Sequence, residues 1–298
     1  MADYLIRVIA KEAGVRGLAC LTTDLAAEAA QRHQTRPTAT AVLAHGLTGG
    51  ALFGALLKIR QRVAIKFEGN GPLRKLLVES DSYGKLRGYV GEPEVDLPLK
   101  NGQQDVVGAL GHIGVLTVVK DVRLEELAEG VVPLAGQPLD DELTFYLSQS
   151  EQIPSFVEIG VYMNESGEME ASGGLLIQAL PPYEDDIVVR LQERMQELPP
   201  LSALLYAGET PETVLAKVFA GIEYDVLEKR DLVFHCGCSR ERSEKALLSL
   251  GSQELEHILA NEGQAVVDCH FCLQQYVFSR DALEDLIVEL EVAALEEE

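Results

Sequence analysis

The sequence predicts an α+β protein in three parts: a mixed α/β-sheet domain over 1–180, a helical linker over 181–228 and a small α+β module over 229–298. Three observations carry this. Strand-like runs broken by turn signals fill the first part, together with helical patterns. Between 181 and 228 apolar residues recur at helical spacing. Beyond 229, four of the five cysteines fall in two short stretches, VFHCGCSRER (233–242) and VDCHFCLQQYVF (267–278).

DYLIRVIA opens the first part as a strand. Thr23 or Asp24 is placed to cap a helix over LAAEAAQRH, and Pro37 starts a second helix, since proline suits a first helical turn. Residues 39–57, ATAVLAHGLTGGALFGALL, carry no Asp, Glu, Lys or Arg. That length borders on a membrane span. Its glycines, its threonines and His45, with no anchoring Trp or Tyr, favour a buried core helix packed closely through its small residues. RVAIKFEG, KLLVESDSYGKLRGYVG and VLTVVKDV read as strands, and SYG marks a hairpin turn. DDELTFYLSQSEQ reads as a helix, and SFVEIGVYMNESGEMEASGGLLIQAL as two strands around a polar turn. PPYEDD (181–186) marks a boundary. Past it Ile187, Leu191, Met195 and Leu198 share one face with Val188 beside them, Pro199 and Pro200 stop that helix, and Thr210-Pro211 starts another over ETVLAKVFAG. These helices are amphipathic and short, so they need a surface to pack on. In the last part Val233–His235 reads as a strand end. Ser239, Ser252 and Ser279 cap three helices, and QAVVD and QQYVF are strands flanking the second cysteine pair. There are no repeats, and the closing EEE is the one low-complexity tract.

The chain of 298 residues carries a net charge of −23. Residues 1–179 hold 16 basic and 23 acidic side chains, 180–228 hold 3 and 10, and 229–298 hold 6 and 15, so the acidic excess is densest toward the C-terminus. Such a surface repels nucleic acid and anionic membranes. The N-terminus lacks a basic start followed by an apolar run, which points to a cytoplasmic protein whose cysteines stay reduced. No G-x-x-x-x-G-K-[ST], H-E-x-x-H or G-x-S-x-G is present. GALGHIGV precedes a strand and reads as a loop, and EPEVDLP and PLDDEL read as solvated carboxylates. With no catalytic set and no nucleotide motif, the sequence argues against an enzyme.

Cys236-Gly-Cys238 and Cys269-His-Phe-Cys272 form a C-x-C…C-x-x-C set. Two close thiolate pairs from separate turns suit one tetrahedral Zn²⁺, which makes the C-terminal module a zinc-binding one. His235 and His270, adjacent to these cysteines, are candidate substitutes for one of them. Structural zinc contributes about 10–16 kcal/mol of apparent folding energy, against a net stability of about 5–15 kcal/mol for a whole domain. A module this small therefore depends on its metal. The same spacing suits disulfide formation, so a structural site and a redox switch share these ligands. Cys20, alone among apolar neighbours, reads as a core residue. Two other functions stay in view: a zinc-ribbon nucleic-acid module, opposed by the acidic charge, and a thiol oxidoreductase using Cys269 and Cys272, opposed by the lack of a βαβ context.

Five ordered blocks carry a resemblance that spans nearly the whole chain: ACLTTDLAAEAAQRHQTRPTATAVLAHGLTGGALFGALLK, GNGPLRKLLVESDSYGKLRGYVGEP, GVLTVVKD, FYLSQSEQIPSFVEIGV, and HCGCSRER with CHFC. The chain resembles the redox-regulated 33-kilodalton heat-shock chaperones of bacteria. The resemblance implies an ATP-independent holdase, off when reduced with zinc on Cys236, Cys238, Cys269 and Cys272. It implies activation by the disulfides Cys236–Cys238 and Cys269–Cys272, with release of zinc and loosening of the module and linker. Partners are then unfolded client proteins and a second copy of the chain when oxidised, with the first domain carrying dimer and candidate client contacts. One departure stands out. The family usually has Gly after the last cysteine and this chain has Leu273, at a knuckle that often needs positive φ.

Overall fold

The computed structural model describes residues 2–123, 126–184 and 186–296, with side chains to 292. Asp185 of PPYEDD and residues 297–298 of the closing EEE lie outside the described residues. The chain forms two compact units, Met1–His235 and Cys236–Glu298.

The first unit runs β1 (Tyr4–Ala10), β2 (Val15–Leu21), α1 (Thr23–His33), α2 (Pro37–Gly54), β3 (Arg62–Gly69), β4 (Lys75–Asp81), β5 (Lys85–Val90), α3 (Val106–Leu110), β6 (Gly114–Asp121), β7 (Ala128–Pro133), α4 (Leu139–Gln149), β8 (Ser155–Met163), β9 (Met169–Ala179), α5 (Ile187–Gln196), α6 (Leu201–Tyr206), α7 (Pro211–Val218), β10 (Asp225–Asp231) and β11 (Val233–Phe234). One antiparallel sheet has the order β10-β1-β2-β9-β8. The other has the order β11-β5-β4-β3-β6-β7, antiparallel but for the short β11–β5 pair. Side chains alternate across the first sheet, as the period of two requires. Leu5, Leu18, Cys20 and Leu176 face a core shared with α2 and the second sheet, while Tyr4, Ile6, Val8, Leu175 and Ile177 face the core under α5–α7.

Helix α2 is buried from Thr38 to Gly54 except at His45. It packs on strands of both sheets, so its uniform hydrophobicity reflects a core helix. Gly46 and Gly50 let the second sheet approach: a Cβ at either would stand 2.6 Å from Leu76 Cδ2 or Val78 Cγ1. Among the described residues no helix is long and apolar enough to cross a membrane.

Helix α1 differs from expectation at its start. Thr22 occupies the cap position without a side-chain cap bond, and Asp3 supplies it instead, its Oδ2 accepting from Leu25 N at 2.6 Å. A carboxylate reaching from β1 performs the service a local Thr or Asp would give. The face expected on α5 is the one that packs: Ile187, Val188, Leu191 and Met195 are buried on the first sheet, with Leu198 against the same core. Thr210 and Thr213 form a reciprocal capping box at α7. The strands β2, β7 and β10 and the short helix α3 were not foreseen in the local pattern.

The second unit comprises α8 (Arg240–Leu248), α9 (Ser252–Asn261), β12 (Ala265–Asp268), β13 (Gln275–Phe278) and α10 (Arg280–Glu296). Ser239 caps α8, its Oγ accepting from Arg242 N at 3.3 Å, and Ser279 caps α10 through Ala282 N at 3.4 Å. Ser252 is the first helical residue of α9 and not its cap; Gly251, with φ 85°, turns the chain into that helix. Leu247, Leu255, Ala265, Phe278, Leu283, Leu286 and Ile287 make up the buried core of this unit.

Candidate metal centre

Two turns of the second unit deliver the sulfurs. Cys236 and Cys238 flank Gly237, whose carbonyl accepts from Arg242 Nη1 at 2.8 Å, so the first turn of α8 holds the C-x-C segment. Cys269 to Cys272 form the tip of the β12–β13 hairpin, beyond its last pair Asp268–Gln275. There Cys269 N donates to Gln274 O at 3.0 Å, and Leu273 N donates to Cys269 O at 2.8 Å. Leu273 adopts φ 56°, the left-handed conformation that its place after the last cysteine demanded. Arg240 ties the two parts together: its guanidinium lies 4.2 Å from the centre of the Phe278 ring and donates to Val277 O at 2.8 Å.

The four sulfurs converge. Cys236 Sγ lies 3.6 Å from Cys269 Sγ and Cys238 Sγ lies 3.4 Å from Cys272 Sγ. All four lie within 4.8 Å of one another, with no histidine nitrogen in the set. Tetrahedral thiolates about 2.3 Å from a central zinc stand about 3.8 Å apart, so this donor set has the size and softness of a four-sulfur zinc site. All five cysteines are free thiols. Burial pushes the Cys269 and Cys272 thiols up. A bound cation reverses that preference, since a coordinating thiol gives up its proton.

The structure also places a residue that spacing did not single out. Tyr276 donates its hydroxyl to Cys238 Sγ at 3.1 Å. The available signal was a tyrosine on the strand that leaves the second cysteine pair. His235 N donates to Leu86 O at 2.7 Å in the first unit, a backbone role. Cys20 is buried at the centre of the first sheet, with its thiol pushed up to about 12 by desolvation, which leaves it inert as a nucleophile. The carboxylates of PLDDEL are structural where their bonds are defined: Glu142 Oε1 accepts from Ala135 N and Gln137 N, and Asp140 Oδ2 accepts from Ile159 N.

A small α+β unit built around four converging thiols, in a chain that also forms a two-sheet α+β unit, defines a protein with a thiol-rich centre fitted to a metal ion. The Hsp33 protein family matches residues 3–279, and the chain belongs to that family. It is 50% identical to the "33 kDa chaperonin" of Geobacter sulfurreducens, over 96% of this chain and 95% of that one. It is 39% identical to the "33 kDa chaperonin" of Bacillus subtilis, over 95% of this chain and 98% of that one. The crystal structure of the 33 kDa chaperonin (heat shock protein 33 homolog) of Thermotoga maritima superposes with a TM-score of 0.89 at 34% identity, covering 98% of this chain and 99% of that chain.

Proposed function

We propose that the chain is a redox-regulated, ATP-independent holdase of the cytoplasm, silent when reduced and zinc-bound, active when oxidised. The convergence of Cys236, Cys238, Cys269 and Cys272 in a unit with a small apolar core carries this reading. In the reduced protein these four sulfurs would hold one Zn²⁺, which would cross-link the C-x-C turn to the hairpin tip and supply much of the unit's folding energy. Peroxide takes two electrons from each pair. A thiolate attacks the O–O bond and becomes a sulfenic acid as hydroxide leaves. The neighbouring thiolate then displaces a second hydroxide, closing Cys269–Cys272 and Cys236–Cys238. Sulfurs in disulfides are poor ligands, so the set loses its grip on the cation and the unit loses its cross-link.

The switch domain, placed by sequence at 229–298, would then unfold and loosen the linker at 181–228. The apolar faces of α5–α7, now buried on the first sheet, are the surface such loosening would expose. Unfolded clients would bind exposed apolar surface, and residues 1–180 would carry client and dimer contacts in an oxidised homodimer. A nucleic-acid role is disfavoured by charge: Arg240, Arg242, Lys245 and Arg280 are the basic residues from 236 onward, and Arg240, Arg242 and Arg280 are engaged within the unit.

The test follows light scattering from a thermally unfolding client with reduced or peroxide-treated protein, with zinc content and free thiols measured on the same samples. Suppression of aggregation by the oxidised form alone, with loss of zinc and of four thiols, is expected. Equal suppression by both forms would sink the switch.

A further inference from the structure

We infer that Tyr276 is a positioning residue of the sulfur centre, whose hydroxyl holds Cys238 in the ligand set and ties that set to the core of the second unit. This rests on the reading of the four cysteines as a metal site. Tyr276 and Phe278 share the inward face of β13. Phe278 is fully buried, while Tyr276 packs at the margin of the same core, at the end of the strand nearest the cysteine tip. A phenylalanine would serve that packing equally well. The hydroxyl adds one thing, the 3.1 Å bond to Cys238 Sγ.

The sulfurs of the two motifs are held in different ways. Those of Cys269 and Cys272 accept backbone N–H groups of their own loop, from Phe271 and Cys272 and from Gln274. These donors accompany any chain folded into that turn. The Tyr276 donor stands 38 residues from Cys238 in sequence and comes from a different element. It therefore closes the C-x-C turn onto the hairpin without help from a metal. When Cys238 is a thiolate, the O–H···S bond is charge-assisted and stronger than a neutral one. It draws electron density from that sulfur, fixes its position and slows its departure from a bound cation. Outer-shell hydrogen bonds of this kind change metal affinity by about 10–100-fold. Once Cys238 is in a disulfide its sulfur carries no charge and accepts poorly. The same bond then fails, and the β13 side of the core loses one of its links to the C-x-C turn, leaving the Arg240 contacts to Val277 and Phe278. Tyr276 thus passes the state of the sulfur to the packing behind it.

The test compares full-length wild type with Tyr276→Phe, both reduced. In the cobalt(II)-loaded proteins, the thiolate-to-metal charge-transfer band of the variant is expected at lower energy, because a sulfur freed from a hydrogen bond is the better electron donor. Zinc transfer to a chelator is expected to be about tenfold faster in the variant, with unchanged circular dichroism of the zinc-loaded form. A band at the wild-type energy with wild-type transfer rates overturns the assignment. Should the variant fail to fold, zinc-loaded wild type decides by NMR. A slowly exchanging Tyr276 hydroxyl proton with a nuclear Overhauser contact to the Cys238 β-protons upholds the bond, and a freely exchanging one overturns it. Wild type that takes up no metal refutes the reading of the centre and this inference with it. Wild type that binds metal beside an indistinguishable variant refutes the Tyr276 role alone.

Discussion

Leu273 sits where the chain must turn back on itself after the last cysteine. Its φ of 56° is left-handed, and its side chain is about half exposed, so packing offsets little of the strain. A Cβ in that region costs about 1–2 kcal/mol. The conformation is imposed by the Leu273 N to Cys269 O bond that closes the knuckle. Leu273→Gly is therefore expected to stabilise the reduced, zinc-loaded second unit by about 1 kcal/mol and to tighten zinc binding against a competing chelator severalfold. Denaturant melts and chelator titration measure the two effects. A glycine variant that is less stable and binds zinc more weakly would show that Leu273 contributes contacts outweighing its backbone strain.

Between elements, the pairing of α6 with β8 makes a second, separate prediction. The helix lies so close that a Cβ on Gly160 would stand 2.4 Å from Ser202 N. That approach half-buries Glu158, and desolvation raises its carboxyl from the usual 4.5 to about 7, against the Leu201 N–H that favours the charged form and with Asp140 adding to the rise. The native state thus binds a proton that the unfolded chain releases. The sign follows from linkage: this contribution is fully present below about pH 4.5, falls as pH rises toward 7, and is gone above it. Glu158→Gln keeps an acceptor for Leu201 and carries no charge. Its melting temperature should exceed wild type by a few degrees at pH 8, with no gain at pH 4.5. Thermal melts at the two pH values check this, and an offset independent of pH would refute burial as the cause.

At the scale of the whole molecule, the two units differ in what holds them together. The first encloses two apolar cores, one between its sheets and one under α5–α7. The second has a single small core, drawn from α8, α9, α10 and the β12–β13 hairpin, plus the sulfur centre. A zinc ion held by the four sulfurs would contribute about 10–16 kcal/mol, more than so small a core supplies alone. Chelation of the reduced protein should therefore unfold the second unit and leave the first folded. Limited proteolysis read by mass spectrometry is expected to yield new cuts beyond His235 and to spare β1 through β9. Protection of α8–α10 after complete zinc removal would contradict the dependence.

How much was legible in the chain follows from the range of each interaction. Periodicity and capping act over a few residues, so β1, β3, β4, β5, β6, α2, α5 and the cap of α7 could be read locally. Strand β2 could not: VRGLACL is buried on both faces as a central strand and shows no alternation. Strand β10, DVLEKRD, is polar and lies at a sheet edge, extended because β1 offers it a free ladder. The cap of α1 was misplaced because Asp3 comes from twenty-two residues away.

The sequence alone determined the two close cysteine pairs and the apolar face of α5, because each depends on spacing within one or two turns of chain; the knuckle at Leu273 came into view through the family resemblance. The tertiary structure alone decided which sulfurs face one another, that Tyr276 reaches Cys238, and that Glu158 is half-buried against α6. Those contacts join segments whose separation in sequence carries no local signal, and they exist only after the sheets and the hairpin have closed.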